Sequence, residues 1–202
     1  MHYNVIPGRD DLRVIETKAQ VEYKSATKRS IRLDIKAVDR TNKHFDIEIQ
    51  REDSGTDAKR ARVHGSMIDR ELLEKNQSFK ELPESFIIFI TENDKYERGV
   101  SVCHIERKIE ENDNALFEDS LHILYVNGEY RDADTPVGRL MHDFHCTKSE
   151  DMYSKVLAEE VKYLKETMKS LLALGKFSHE DISKGTGLPL EVVEELAAQK
   201  IA

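Results

Sequence analysis

Residues 32–53 read RLDIKAVDRTNKHFDIEIQRED, and three side chains in this stretch have the types and spacing for chemistry: Asp34, Glu48 and Gln50. FDIEIQ alternates strictly, with Asp46, Glu48 and Gln50 on one side and Phe45, Ile47 and Ile49 on the other. SIRLDIKAV alternates too, with Ile31, Leu33, Ile35 and Ala37 opposed to Arg32, Asp34 and Lys36. Period two is the mark of a strand. The intervening DRTNKH has turn chemistry, so the two strands form a hairpin that brings Asp34 and Glu48 close. Neighbouring carboxylates repel unless a cation lies between them, and hard oxygen donors suit Mg²⁺ or Mn²⁺. Gln50 shares the face of Glu48 and can orient water there. The spacing D-x13-E-x-Q is what a metal-assisted phosphodiesterase needs. The same alternation also fits an edge hairpin whose polar face is simply wet.

The elements that must hold these residues are legible around them. LRVIETKAQVEY, residues 12–23, alternates loosely as a first strand. A helix begins near Gly55, with Ala61, Gly65, Ile68 and Leu72 as its buried stripe. Lys59, Arg62, Ser66 and Arg70 lie on a neighbouring face. SFIIFI reads as a strand buried on both sides, and GVSVCHIE and SLHILYVN as two more, the last ended by the turn signal Asn127-Gly128. Residues 134–142 and 150–174 read as helices. Past Gly175, Ser178 and Asp181 have capping-box spacing, and Pro189 suits the first turn of a last helix. Strands mixed with helices in this order give an α/β fold, a mixed central β-sheet flanked by helices, with a C-terminal helical extension.

Composition narrows the classes. The chain has 202 residues, 35% charged and 39% hydrophobic, which suits a well-solvated globular protein. Its longest wholly apolar run, Phe86 to Ile90, is too short to span a membrane, and the start MHYNVIPGRDDLR has no signal-peptide core. Cys103 and Cys146 have no paired spacing, so a cytoplasmic location is expected. A net charge of −8 opposes indiscriminate coating of nucleic acid but leaves room for a local basic groove.

Taken as an ordered series, LDIKAVDRTNKHFDIEIQ, KRARVHGSMIDRELLEKNQSFKELPESFIIFITEND and ILYVNGEYRDADTPVGRLMHDFHCTKSEDMYSKVLAEEVKYLKE resemble the PD-(D/E)xK nuclease superfamily. The resemblance is to its bacterial nuclease-family transposases, especially the recombination-promoting branch, and covers about residues 12 to 166. It implies a restriction-endonuclease-like mixed sheet and hydrolysis of DNA with Mg²⁺ or Mn²⁺. Asp34 and Glu48 would hold the metal, and Gln50 would stand where a lysine is usual. Lys36, Lys59, Arg60 and Arg62 become candidates for phosphate contacts, although such a run is equally a solvated helix face. The division that follows is a nuclease-like domain over 1–145, a long connecting helix over 146–174 and a small helical tail over 175–202.

The family core also opens with a helix that often supplies another acidic group. Here Glu16 and Glu22 precede Asp34 but fall in a strand. The sheet face bearing Ile31, Leu33 and Phe45 then needs a cover, either the helix 150–174 with Val156, Tyr163 and Leu164, or a second copy of the chain. The expectation is a homodimer with weak or absent activity of the chain alone. An inactive nuclease fold serving as an interaction module is the rival reading. His142, His145 and Cys146 in MHDFHC fall short of a closed zinc site and read as local packing. His44, His64 and His122 are isolated. ISKGTGLPLEVVEEL has helix-turn-helix spacing, but Glu191, Glu194 and Glu195 would repel DNA, so a helical packing unit is the better reading.

Overall fold

The computed structural model describes residues 14–23, 31–50, 57–186 and 190–198. The chain divides into two compact units, 1–141 and 142–202. The first holds a six-stranded mixed sheet made of β1 (Val14–Tyr23), β2 (Ile31–Asp39), β3 (His44–Gln50), β4 (Ser85–Thr91), β5 (Val102–Ile105) and β8 (Leu121–Asn127). Their spatial order is β1-β2-β3-β4-β8-β5. β3, β4 and β8 run parallel to one another, and the remaining neighbours pair antiparallel. A small hairpin, β6 (Lys108–Ile109) with β7 (Ala115–Leu116), was not signalled by its polar, aperiodic sequence. Its turn is set by Asp113 and Asn114, both at positive φ, a conformation that short polar side chains tolerate.

The hairpin expected from DRTNKH joins β2 to β3. Asp39 Oδ1 accepts from the Thr41 and Lys43 amides and from the Thr41 hydroxyl, and Asn42 takes the left-handed conformation. Burial alone would raise the Asp39 pKa, but these donors hold the carboxyl below its usual range. The turn fixes the register Ile35 opposite Ile47 and Lys36 opposite Asp46.

β4 lies between β3 and β8 and is buried along its whole length, as SFIIFI requires. The connection from β3 to β4 contains α1 (Ala58–Leu72), whose Asp57 carboxylate caps the Lys59 amide. The helix start expected near Gly55 lies outside the described residues. Ala61, Gly65 and Ile68 are buried, and Ala61 and Ile68 pack on Ile87, Phe89 and Tyr125. By register, Asp46 is in the row of Ile87, and Glu48 in the row of Phe89 and Tyr125. The helix therefore covers the polar side of β3.

On the other face, Phe45 stacks on Phe86 and Phe86 on His122, with centroids 5.1 and 4.6 Å apart. Phe45, on the face expected to need a cover, is 5% exposed. The side chains of Ile31 and Leu33 are outside the described residues. α2 (Pro136–His145) carries the chain into the second unit. Among the described residues no helix is long and apolar enough to cross a membrane.

The second unit contains α3 (Lys155–Leu174), α4 (His179–Thr186) and α5 (Leu190–Ala198) around Met168, Ile182 and Val193. The long helix starts five residues later than its sequence suggests. Asp143 accepts from the Tyr153 and Ser154 amides, holding that stretch extended until Ser154 caps Leu157. These bonds also employ both Asp143 oxygens, which accounts for part of MHDFHC as a structural clasp. Gly175, in the left-handed conformation, ends α3. The Ser178–Asp181 capping box forms as read, while Pro189 is outside the described residues. Val156 and Tyr163 are exposed.

Gly128 follows β8 where the backbone of β4 passes close. A Cβ there would lie 2.0 Å from the Thr91 carbonyl oxygen, which cannot swing away as a side chain can. Gly128→Ala is expected to destabilise the protein by about 1–3 kcal/mol, the range for forced overpacking. Urea unfolding monitored by circular dichroism checks this; an unchanged midpoint would refute the close approach.

Candidate active site

The site begins where the β2–β3 ladder stops. Beyond Ile35 and Ile47 the carboxylates take over from main-chain carbonyls. Glu48 Oε1 accepts from the Asp34 amide at 3.0 Å, and Asp34 Oδ2 accepts from the Ile49 amide at 3.1 Å. Each acidic side chain thus reaches across to the other's strand, and the hairpin read from the spacing does bring Asp34 and Glu48 together.

The alternation of FDIEIQ has an inverted meaning. Its polar side is the better buried: Asp46 and Glu48 are both 0% exposed, whereas Ile49 is 46% exposed. Two residues not singled out from the sequence complete the centre. Asp46 was visible on the same period-two face as Glu48. His64 sits in the buried stripe of α1 between Ala61 and Gly65, a position that an apolar count passes over.

His64 Nδ1 lies 2.8 Å from Asp46 Oδ2 and 3.9 Å from Glu48 Oε1. Arg60, one turn earlier on α1, donates through Nη2 to Glu48 Oε2 at 2.6 Å and through Nη1 to Gln50 Oε1 at 3.5 Å. Its Nε donates to His64 Nε2 at 3.3 Å. A guanidinium can only donate, so Nε2 must accept, and the imidazole proton is on Nδ1, directed at Asp46. His64 is therefore a neutral positioning group between two carboxylates and a cation.

Burial, and next the Asp46 carboxylate, push Glu48 up to about 7, against the opposing hydrogen bond from the Asp34 amide. The Arg60 contact favours the ionised form as well. Among the described residues, Asp46 Oδ1 is buried without a hydrogen-bond partner. Asp46, Glu48 and His64 each direct one donor atom into a common space, all within 4.8 Å of one another. A buried oxygen with no partner, beside a second carboxylate, is an environment that a divalent cation satisfies. The oxygen donors suit Mg²⁺ or Mn²⁺; His64, with its Nδ1 proton on Asp46 and its Nε2 accepting from Arg60, has no lone pair to add.

The other residues expected at the site are distributed around it. Asp34 is half-buried at the fork but is not one of the three converging groups. Gln50 is half-buried and meets Arg60. Lys36, opposite Asp46 in register, lies with Glu16, Lys18 and Val38 around a small cleft. Lys59 and Arg62 are exposed on α1. Arg60 is turned toward the carboxylates.

Because Glu48 holds its proton more tightly in the folded chain than at its ordinary value of 4.5, its ionisation disfavours folding. That cost is absent below 4.5, grows through the interval up to about 7, and is complete above it. Glu48→Gln mimics the protonated form. In metal-free buffer it is expected to match the parent near pH 4.5 and to exceed its stability above pH 7, by on the order of 2–3 kcal/mol. Denaturant unfolding at both pH values measures the difference. A parent that gains on the variant as pH rises would overturn the assignment.

Comparison with known proteins agrees with this architecture. No curated protein and no solved structure matches the chain. A family model described as PD-(D/E)XK nuclease family transposase matches residues 9–130, a span that contains the whole carboxylate centre. With more than half of its length in that match, the chain belongs to the PD-(D/E)XK nuclease family transposases.

Proposed function

We propose that this chain hydrolyses DNA phosphodiesters in a reaction dependent on Mg²⁺ or Mn²⁺, in the processing of mobile or recombining DNA. The observation that carries the reading is the fully buried Asp46–Glu48 pair with its unpartnered oxygen. Nucleases of the PD-(D/E)XK type generally use divalent metals, in keeping with this donor set. Glu48 and Asp46 would hold the ion, with Asp34 adding negative charge from across the fork. When bound, the metal supplies positive charge for the phosphoryl oxygens and acidifies the attacking water.

The chain's own groups do the rest. Gln50, at the end of β3, orients water through its amide. His64 keeps Asp46 aligned through its Nδ1 proton. Lys59 and Arg62, on the exposed side of α1, meet the phosphate backbone and position the duplex. The rival, an inactive nuclease fold used as an interaction module, draws support from Arg60, which already occupies Glu48 Oε2 and Gln50 Oε1. Calorimetric titration with Mn²⁺ separates the two, since the rival requires no metal affinity. The proposal includes a homodimer, supported by Val14 and Ile15, which are exposed on the edge strand β1. Light scattering at micromolar concentration tests it, and a clean monomer would exclude it.

Asp34→Asn and Glu48→Gln are each expected to abolish metal-dependent nicking of plasmid DNA while the protein remains folded. Cleavage at the parental rate by either variant would remove that residue from the site. Replacing Lys59 and Arg62 together by Ala is expected to weaken DNA binding and lower the slope of log affinity against log salt by roughly 0.9 per lost duplex contact. An unchanged slope would make them a solvated face.

A further inference from the structure

A second cluster lies on the opposite face of the same sheet and takes no part in the carboxylate centre. His104, on β5, and Glu106, two residues on, share a face, while His122 projects from the adjacent β8. His104 Nε2 is 3.1 Å from His122 Nδ1, His122 Nδ1 is 3.1 Å from Glu106 Oε1, and His104 Nε2 is 3.6 Å from Glu106 Oε1. Ligands about 2.0–2.1 Å from a tetrahedral ion are separated from each other by roughly 3.3–3.4 Å. The three atoms therefore outline one face of a tetrahedron.

The surroundings orient these donors. His122 Nε2 lies 3.3 Å from Glu84 Oε1, and Glu84 is in turn paired with Lys43. With its proton on Nε2, directed at Glu84, His122 presents the Nδ1 lone pair to His104 and Glu106. A carboxylate behind a histidine is the arrangement that fixes tautomer and ring direction in metal sites. The ring plane is held as well, by stacking on Phe86. In this tautomer the Nδ1 lone pair and a Glu106 oxygen face each other at 3.1 Å, two acceptors that a cation reconciles. Beside them lies a cavity of about 260 Å³, lined in part by Glu84, Glu106, Arg107, Ser120 and His122, so a fourth coordination position has room.

We propose that His104, Glu106 and His122 bind a zinc-type divalent cation through two imidazoles and one carboxylate, leaving a fourth position open to water or a small ligand. The set is softer than the oxygen-rich centre under α1, so the two sites select different ions. The inference does not depend on the nuclease reading.

The test uses the full chain in the Glu48→Gln background, titrated with Zn²⁺ by calorimetry and with Co²⁺ by visible absorption. One ion per chain with the intense visible bands of tetrahedral cobalt is expected, without sulfur-to-metal charge transfer. His104 is exposed, its side chain 40% accessible, so His104→Ala leaves the fold intact; it should weaken binding by more than about 100-fold, and Glu84→Gln by about 10–100-fold. His104→Gln, retaining bulk without the imidazole, should behave as His104→Ala does. The proposal is overturned if binding survives both His104 variants. A charge-transfer band lost in Cys146→Ser, which would place the ion at the His142–Cys146 cluster, overturns it too. So does the absence of one-to-one binding at micromolar zinc, which would leave His122 a protonated bridge between Glu84 and Glu106.

Discussion

Holding two carboxylates side by side away from bulk solvent is the constraint to which the rest of the first unit answers. Asp46 and Glu48 are at the head of apolar rows, beside Ile87 and Phe89, and α1 shuts the face above them. Both effects favour the neutral acid: the low polarity of the surroundings and the proximity of a like charge. Fully burying a large apolar side chain yields about 1.5–3 kcal/mol. Several such residues pack under α1, enough to hold a carboxylate in a place it would not choose. The fold keeps the pair by cohesion of its neighbours.

The order of elements explains how the charge is managed. A parallel β3–β4 pair requires a crossover, and here the crossover contains the helix that carries Arg60 and His64. Being one turn apart, both side chains leave α1 on the same side. The strand contributes the negative groups and the helix the groups that moderate them. Gly65 belongs to this arrangement: its missing side chain lets Leu121 approach to within van der Waals contact of the helix. The distance between helix and sheet is short enough for an imidazole to bridge, which a long flexible side chain would not need.

Much of this could be read from the residues. Period two located β2 and β3, turn chemistry located the hairpin, and the apolar run located β4. The stripe of α1 followed from Ala61, Gly65 and Ile68. The direction of the polar face of β3 was not legible, because alternation reveals that two faces differ but not which one a later helix will cover. His64 was hidden for a related reason: a histidine amid a buried stripe has no periodic signature of its own, and its partner Asp46 is distant in sequence. The cluster of His104, Glu106 and His122 depends on β5 pairing with β8, a long-range event that no local spacing encodes. The start of α3 was misplaced because Asp143 captures amides ten and eleven residues ahead.

Gln50 shows how a site can relocate a charge. In the resemblance read from the sequence, its position usually belongs to a lysine, and a neutral amide cannot supply that cation. Among the described residues, the positive group that meets Glu48 comes instead from Arg60, on a different element, and it touches Gln50 too. A guanidinium stays protonated throughout the ordinary pH range, so it can steady an anion but cannot serve as a general base toward water. Its planar fork spans the Glu48 and Gln50 side chains together, whereas the point charge of a lysine would favour one of them. In the function proposed above, with the cation on the helix rather than the strand, two tasks separate: Arg60 compensates charge, and the uncharged Gln50 amide would hydrogen-bond water. Such a centre depends on the seating of α1 more strongly than one whose acidic and basic groups share a strand.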